Sequence, residues 1–208
     1  MSLDGAAFSY LAGQAASIGA GAGELTPYSI ASAPSETARH QWLEFLVKVD
    51  GSNRFGAQVD RLQPGKSISV TGPIGGFALT ADMRSRPLLF IAGGTGIAPI
   101  RSMIVEALES RPPAPISLVY SARSPAEFAY GDELRALADQ RRIDLTLTLT
   151  GDAADWAYAR GRTGPVHLMD RVTAETISVL CGPPSMVNAL RDALESLGVS
   201  RAQILTQD

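Results

Sequence analysis

Residues 88 to 99 read Leu-Leu-Phe-Ile-Ala-Gly-Gly-Thr-Gly-Ile-Ala-Pro. An apolar run leads into glycines at 93, 94 and 96, and a helix-compatible segment follows. That order spells a buried strand, a tight turn and a helix start. Glycine has no Cβ, so the turn can take left-handed dihedrals and let a ligand touch backbone. Pro99 suits a first helical turn, where its missing N–H leaves no bond unmade. The N–H groups of Gly94, Thr95 and Gly96, with the positive helix end behind them, attract a phosphate or pyrophosphate. A second apolar run, Ile177 to Cys181, leads into Gly182-Pro183-Pro184-Ser185-Met186. Cys181 then sits at the carboxyl edge, where open α/β sheets bind ligands. Ser121 and Arg123 end another apolar run, a position that commonly meets an adenosine ribose. A serine and an arginine there suit a 2′-phosphate through charge-assisted hydrogen bonds. Tyr28, in Pro27-Tyr28-Ser29-Ile30-Ala31-Ser32, is a flat amphipathic ring able to stack on a cofactor or to fill a core.

These residues need elements to hold them. From about Arg86 onward the chain alternates strands and helices. The strand candidates are Leu88–Ala92, Ile116–Ser121, Leu145–Thr150 and Ile177–Cys181. Ile100, Met103, Ile104, Ala107 and Leu108 share one helical face. Ser124-Pro125-Ala126-Glu127 reads as a capping box, and Asp132 as the cap of a following helix. A last helix runs from about Ser185 to Leu197 and stops at Gly198. Such alternation predicts a parallel sheet wrapped on both faces. The part before it is strand-like, with Trp42–Val49 and Lys66–Thr71 as strands, Pro64-Gly65 as a turn and no strong helix pattern. Short strands separated by Gly and Pro suggest a small antiparallel barrel. Thr80 to Arg86 reads as the linker.

Composition bounds the answer. The chain has 208 residues, 45% hydrophobic and 19% charged, with a net charge of −3. That balance is ordinary for a soluble protein and gives no global attraction to nucleic acid or anionic membranes. The one cysteine excludes an intrachain disulfide and a cysteine-ligated iron–sulfur cluster within the chain. His40 and His167 are too few and too scattered for a metal site. The Ala- and Gly-rich segment 6–23 lacks the basic start and apolar core of a signal peptide, so a cytoplasmic location is expected.

Four motifs stand in order: Pro27–Ser32, Gly72-Pro73-Ile74-Gly75-Gly76-Phe77, the glycine turn, and Cys181–Met186. Together they resemble the ferredoxin–NADP reductase superfamily over nearly the whole chain. The resemblance implies two domains: an antiparallel β-barrel flavin domain over 1–82, then an α/β parallel-sheet NAD(P)-binding domain over 87–208. It implies FAD and NADP as cofactors, with NAD as the alternative to NADP. Tyr28 would stack on the flavin, Ser29 would lie near its N5, and Val47, Gly72 and Gly75 would border it. Gly94, Thr95, Gly96 and Pro99 would hold the nucleotide's pyrophosphate. Cys181, with Gly182, Pro183 and Met186, would lie beside the nicotinamide, positioning it rather than acting as a nucleophile. Arg162 resembles a second phosphate-reading arginine. Ser29 and Cys181 are the expected catalytic residues. The implied activity passes hydride from NAD(P)H to flavin and electrons to a separate acceptor, because the chain carries no ferredoxin-like cysteine pattern and no haem-attachment motif.

The pattern also departs from the family's. Thr26 stands where an arginine would grip the flavin phosphate, and Gly56 where a serine would face it. One or two further barrel strands would precede Phe8–Gln14, and their lack predicts an open barrel edge. Gln207 stands where a glutamate is expected, which argues against a proton relay, and no aromatic follows it. Two other readings fit parts of this. One is a degenerate, non-catalytic nucleotide-binding or electron-transfer subunit. The other is a methyltransferase, which shares a glycine turn but gives no reason for Pro-Tyr-Ser or Cys-Gly-Pro-Pro. If Arg123 reads a 2′-phosphate, Arg123→Ala weakens NADPH binding roughly tenfold or more, and much more than it weakens NADH. Titrations showing equal losses for both nucleotides remove that assignment.

Overall fold

The computed structural model describes residues 1, 3, 7–20, 24–49, 59 and 62–207. The antiparallel sheet has the order β2-β1-β3, from β1 (Ala15–Ala20), β2 (Thr26–Ser29) and β3 (Ile68–Ile74). Among the described residues it does not close into a barrel. The parallel sheet has six strands: β4 (Leu88–Gly93), β5 (Ile116–Ala122), β6 (Asp144–Leu149), β7 (Ala159–Arg160), β8 (Ile177–Cys181) and β9 (Ile204–Thr206). Their order is β7-β6-β5-β4-β8-β9, and every neighbouring pair is parallel. The turn Met83–Ser85 lies between the two sheets in the chain.

The expected apolar runs are the centre of this sheet. All six residues of β4 and all five of β8 are buried, as strands covered on both faces must be. Helices α2 (Ile97–Leu108), α3 (Gly131–Asp139) and α4 (Pro184–Ser196) connect them. The sequence assigns α2 one apolar face, yet nearly all of it is buried, Arg101 and Ser102 included. The cause is a second neighbour: Ala12, Phe77 and Leu79 join Ile97, Ile100 and Met103 in one core cluster. The packing is close, since a Cβ on Gly13 would strike the Met103 side chain.

Three local expectations differ from the structure. Trp42–Val49 is not a strand, and Ile30 with Phe45 forms only an isolated bridge. Past Ile30 the ladder is diverted. Ala31 N–H donates to the Glu44 carbonyl (2.8 Å), but Glu44 N–H goes to Ser32 Oγ (3.2 Å). The Ser32 carbonyl is already taken by Ser102 Oγ (2.7 Å) and Tyr10 Oη (2.8 Å). The same region holds an unexpected helix, α1 (Pro34–His40), started by Pro34 and by Glu36 accepting the Ala33 N–H at 2.8 Å. Finally, Ser124 caps only a three-residue turn, Pro125–Glu127, without a side-chain bond. Helix α3 begins after Tyr130, held at φ +59°, and Asp132 lies inside its first turn, bonded to Arg135 at 2.7 Å. The last helix does end as expected, before Gly198 at φ +88°.

Charge holds the two sheets against each other. Arg101 is buried, and its Nη1 and Nη2 donate to the two Glu36 carboxylate oxygens at 2.9 and 3.1 Å. Burial pushes the Glu36 carboxyl upward. The Arg101 hydrogen bonds, the Ala33 N–H and the Arg101 charge more than reverse that, and hold it below its ordinary 4.5. A carboxyl depressed by folding contributes stability above its unfolded value and loses it as pH falls through the lower folded value. The urea midpoint therefore falls as pH drops from about 5 towards 3, and the fall is shallower in Glu36→Gln. Identical acid limbs in the two proteins contradict this.

Candidate functional site

The parallel sheet brings its glycines together by register. Ala92 pairs with Tyr120 on one side and with Cys181 on the other, and Gly93 pairs with Ser121. The chain then turns through Gly94–Gly96 into α2, with Pro99 in the first helical turn. Two kinds of glycine are needed here. Gly94 has φ +55°, and no atom lies within 4 Å of where its Cβ would be, so that side of the turn is open. Gly96 faces inward, and a Cβ there would run into the Cys181 carbonyl. Gly93 and Gly182 are closed in the same way by Met186, whose Sδ and Cε would lie 2.7 Å from their Cβ positions. Pro183 would lie 3.0 Å from a Cβ on Gly93. Gly93, Gly96, Cys181, Gly182, Pro183 and Met186 thus form one cluster, with the exposed Thr95 and the open Gly94 on its outer side. An open turn over close-packed backbone fits a diphosphate.

Gln207 links the antiparallel sheet to this cluster. Gln207 follows β9, and its N–H reaches the Leu180 carbonyl at 3.3 Å. The Cys181 thiol donates to Gln207 Oε1 at 2.8 Å, and Gln207 Nε2 donates to Ser29 Oγ at 3.1 Å. Ser29 and Cys181, the two expected catalytic residues, are therefore joined by a single amide. Burial pushes the Cys181 thiol up to about 12, so at neutral pH it is a protonated donor. A protonated thiol is a poor nucleophile. Tyr28, beside Ser29, is half-buried, and its hydroxyl pKa is raised by burial.

Other flavin-motif residues flank the same strands. Ala15 pairs with both Ser29 and Ile74, which brings the Tyr28–Ser29 end of β2 level with the Gly72–Gly75 end of β3. Gln14 ties them, its carbonyl accepting the Ile30 N–H (3.0 Å) and its Nε2 donating to the Gly75 carbonyl (2.9 Å). Gly75 has φ +89° with open space around it, as has Gly76, leaving room for a flat ring. Thr26 is half-buried at the start of β2, whereas Gly56 lies outside the described residues. Val47 is not part of this cluster and lines an open apolar groove with Ile18, Trp42, Phe45 and Ile68.

The expected ribose-phosphate residues lie at the end of β5 and just past β7. Ser121 is buried. The Arg123 side chain is 76% exposed, with Nε 4.0 Å from Glu127 Oε2. That carboxylate also accepts the Arg123 backbone N–H at 3.2 Å. Reading the run Ser121–Ser124 alone misses it, although the i,i+4 spacing of Arg123 and Glu127 is visible in the sequence. A carboxylate beside a ribose accepts hydroxyls and opposes a 2′-phosphate, so Glu127 works against the phosphate reading of Arg123. Arg162 is exposed just past Gly161, whose carbonyl accepts from Thr148 Oγ1 at 2.7 Å.

Two supports were not expected from sequence. Tyr120 Oη donates to the Gly94 carbonyl at 3.1 Å and steadies the turn from the neighbouring strand. Phe128 packs edge-on against Tyr120 and stacks on Trp156, with centroids 5.0 Å apart in both pairs. Among the described residues no group of His, Cys, Asp and Glu could hold a metal, and no helix is long and apolar enough to cross a membrane.

Residues 90–192 match the model of the oxidoreductase NAD-binding domain family. The chain is 33% identical over 187 residues to ferredoxin–NADP reductase B of Sorangium cellulosum, covering 85% of this chain and 75% of that one. It is 32% identical over 193 residues to the propane 2-monooxygenase reductase component of Mycolicibacterium smegmatis, covering 88% of this chain and 54% of that one. The crystal structure of an Amycolatopsis cytochrome P450 reductase superposes with a TM-score of 0.85 at 26% identity, covering 98% of this chain and 62% of that one. The chain spans about half the length of several curated relatives that it matches.

A buried, protonated Cys181 makes a direct prediction. At pH 8 it is alkylated by iodoacetamide more than about tenfold more slowly in the folded protein than in urea. Equal rates, followed by mass spectrometry, contradict the environment described for it.

Proposed function

The chain belongs to the ferredoxin–NADP reductase superfamily, and we propose that it is a flavin-dependent NAD(P)H oxidoreductase delivering electrons to a separate acceptor. The antiparallel sheet is read as the described part of a flavin-binding barrel domain, and the parallel sheet as the nicotinamide-nucleotide domain. FAD is the proposed flavin. The observation that carries this reading is the amide bridge from Ser29 through Gln207 to Cys181. It ties the tyrosine–serine segment of one sheet to the carboxyl edge of the other, where a flavin and a nicotinamide would have to meet.

When bound, the nicotinamide supplies a hydride that the flavin accepts, and the protein's part is orientation and electrostatics. Gly94, Thr95 and Gly96 offer backbone N–H groups at the start of α2 for the pyrophosphate. Tyr28 offers a ring face and Ser29 a hydroxyl on the flavin side. Cys181 fills the nicotinamide side with a neutral thiol. Gln207 has no acidic proton at any working pH, so it holds Ser29 and Cys181 in place without relaying protons between them. Holding two reactants in near-attack geometry is itself a large part of such a rate enhancement. Ser121, Arg123 and Arg162 are the proposed contacts of the nucleotide's ribose end. The Glu127 carboxylate beside Arg123 favours an unphosphorylated ribose, which supports NADH alongside NADPH as a donor.

The acceptor is proposed as another protein, such as an oxygenase component, or a small molecule. The relatives' names support this class, since one is the reductase component of a monooxygenase. The decisive experiment is the visible spectrum of the protein after FAD is added, followed by anaerobic NADH or NADPH. Retained yellow colour that bleaches with either nucleotide is expected. A colourless protein that still binds nucleotide would support a non-catalytic subunit instead.

A further inference from the structure

We infer that Arg101 is a positioning residue that fixes Ser29, and the ring-stacking segment beside it, against the nucleotide turn. The inference deepens the reading of the cleft as a flavin–nicotinamide site and rests on it. Helix α2 begins directly after the turn Gly94–Gly96, so its N-terminus and its second turn move as one body. In that second turn Arg101 Nη1 donates to the Ala31 carbonyl at 3.0 Å, and Ser102 Oγ donates to the Ser32 carbonyl at 2.7 Å. Ala31 and Ser32 lie two and three residues past Ser29 in the chain. One helix thus carries the proposed diphosphate turn at its start and, one turn later, holds the segment just past the flavin-side strand.

The guanidinium is occupied on every side. Besides Ala31 and Glu36, Nε donates to Glu133 Oε2 at 2.8 Å, and the ring of Tyr130 lies 5.0 Å from its central carbon. Tyr130 Oη in turn donates to Glu44 Oε1 at 2.8 Å, and the Glu44 carbonyl accepts the Ala31 N–H. Stability alone does not explain such an arrangement. A buried ion pair replaced by apolar residues of similar size is often neutral or stabilising, because desolvation cancels much of the attraction. Apolar contacts, however, slide. A planar fork of donors reaching carbonyl and carboxylate oxygens at once fixes both distance and angle. The contacts also close a ring: Ser29 to Gln207 to Cys181, Cys181 to Gly96, along α2 to Arg101, and back through Ala31 to Ser29. Removing Arg101 leaves the Ser102–Ser32 bond and the amide bridge to hold this segment, and lets Ser29 shift against Cys181.

The test uses the double variant Arg101→Met/Glu36→Gln, which removes the ion pair without stranding the Glu36 carboxylate. In flavin-free protein, amide exchange over residues 30–33 accelerates by about tenfold or more, while residues 94–98 keep their protection. In the FAD-loaded protein, stopped-flow bleaching slows by about tenfold or more, while nucleotide affinity stays within about threefold. Unchanged exchange over 30–33 in a folded variant overturns the inference. So does nucleotide affinity that falls in step with the rate, which would put Arg101 in the nucleotide site itself. If the double variant does not fold, Arg101→Lys keeps the charge but loses the planar fork and still speeds exchange over residues 30–33 by about threefold or more, and no change there is equally fatal. If the parent protein is never bleached, the redox reading fails on its own, and the exchange measurement still decides whether Arg101 fixes the 30–33 segment.

Discussion

Two turns of backbone touch at the carboxyl edge of the parallel sheet, and the rest of the molecule is arranged around that contact. Gly96 lies against the Cys181 carbonyl, and Gly182 against Gly93. A Cβ at Gly96 would drive into that carbonyl, whereas one at Gly93 or Gly182 would first meet the Met186 side chain. The close approach gives α2 its starting point and direction. It leaves the outer side of the turn, at Gly94, free to face a ligand. It also sets where Cys181 emerges, and so where Gln207 must arrive to bond it.

The second constraint is electrostatic. Burial works against the charge of Arg101, but the hydrogen bonds and charges of Glu36 and Glu133 outweigh it, and its pKa is raised. The arginine therefore stays charged at the join between the two sheets. Apolar packing by Ala12, Phe77, Leu79 and Met103 brings the sheets together without specifying an angle. The directional bonds from Arg101 and Ser102 supply one. Apolar cohesion and polar direction are thus divided between different residues of the same helix.

The parts of the fold that were legible in the sequence are the local ones. Leu88–Ala92 and Ile177–Cys181 are unbroken apolar runs next to glycine turns, and both are central buried strands. Helix α4 and its stop at Gly198 follow from periodicity and one glycine. The antiparallel part was less legible. Trp42–Val49 has the composition of a strand, but its ladder is broken by Ser32, whose carbonyl is claimed by a helix 70 residues away. Ser124–Glu127 has the residues of a capping box, yet Glu127 turns to the Arg123 N–H instead. In the site, the glycine positions could be read because each directly follows an apolar strand run. Arg101 and Tyr120 could not, since each acts through a partner 26 or more residues away, and Gln207 stood out only through the family resemblance, without its partners Ser29 and Cys181.

The two outermost strands of the parallel sheet are its shortest, with two residues in β7 and three in β9. A sheet rim is a template on which another chain can add itself, and long bare rims invite runaway stacking between molecules. Here each rim offers only a few backbone groups, and Arg160 puts a charge on one of them. Among the described residues, the long apolar strands β4, β5 and β8 are thus kept off the rims of the sheet.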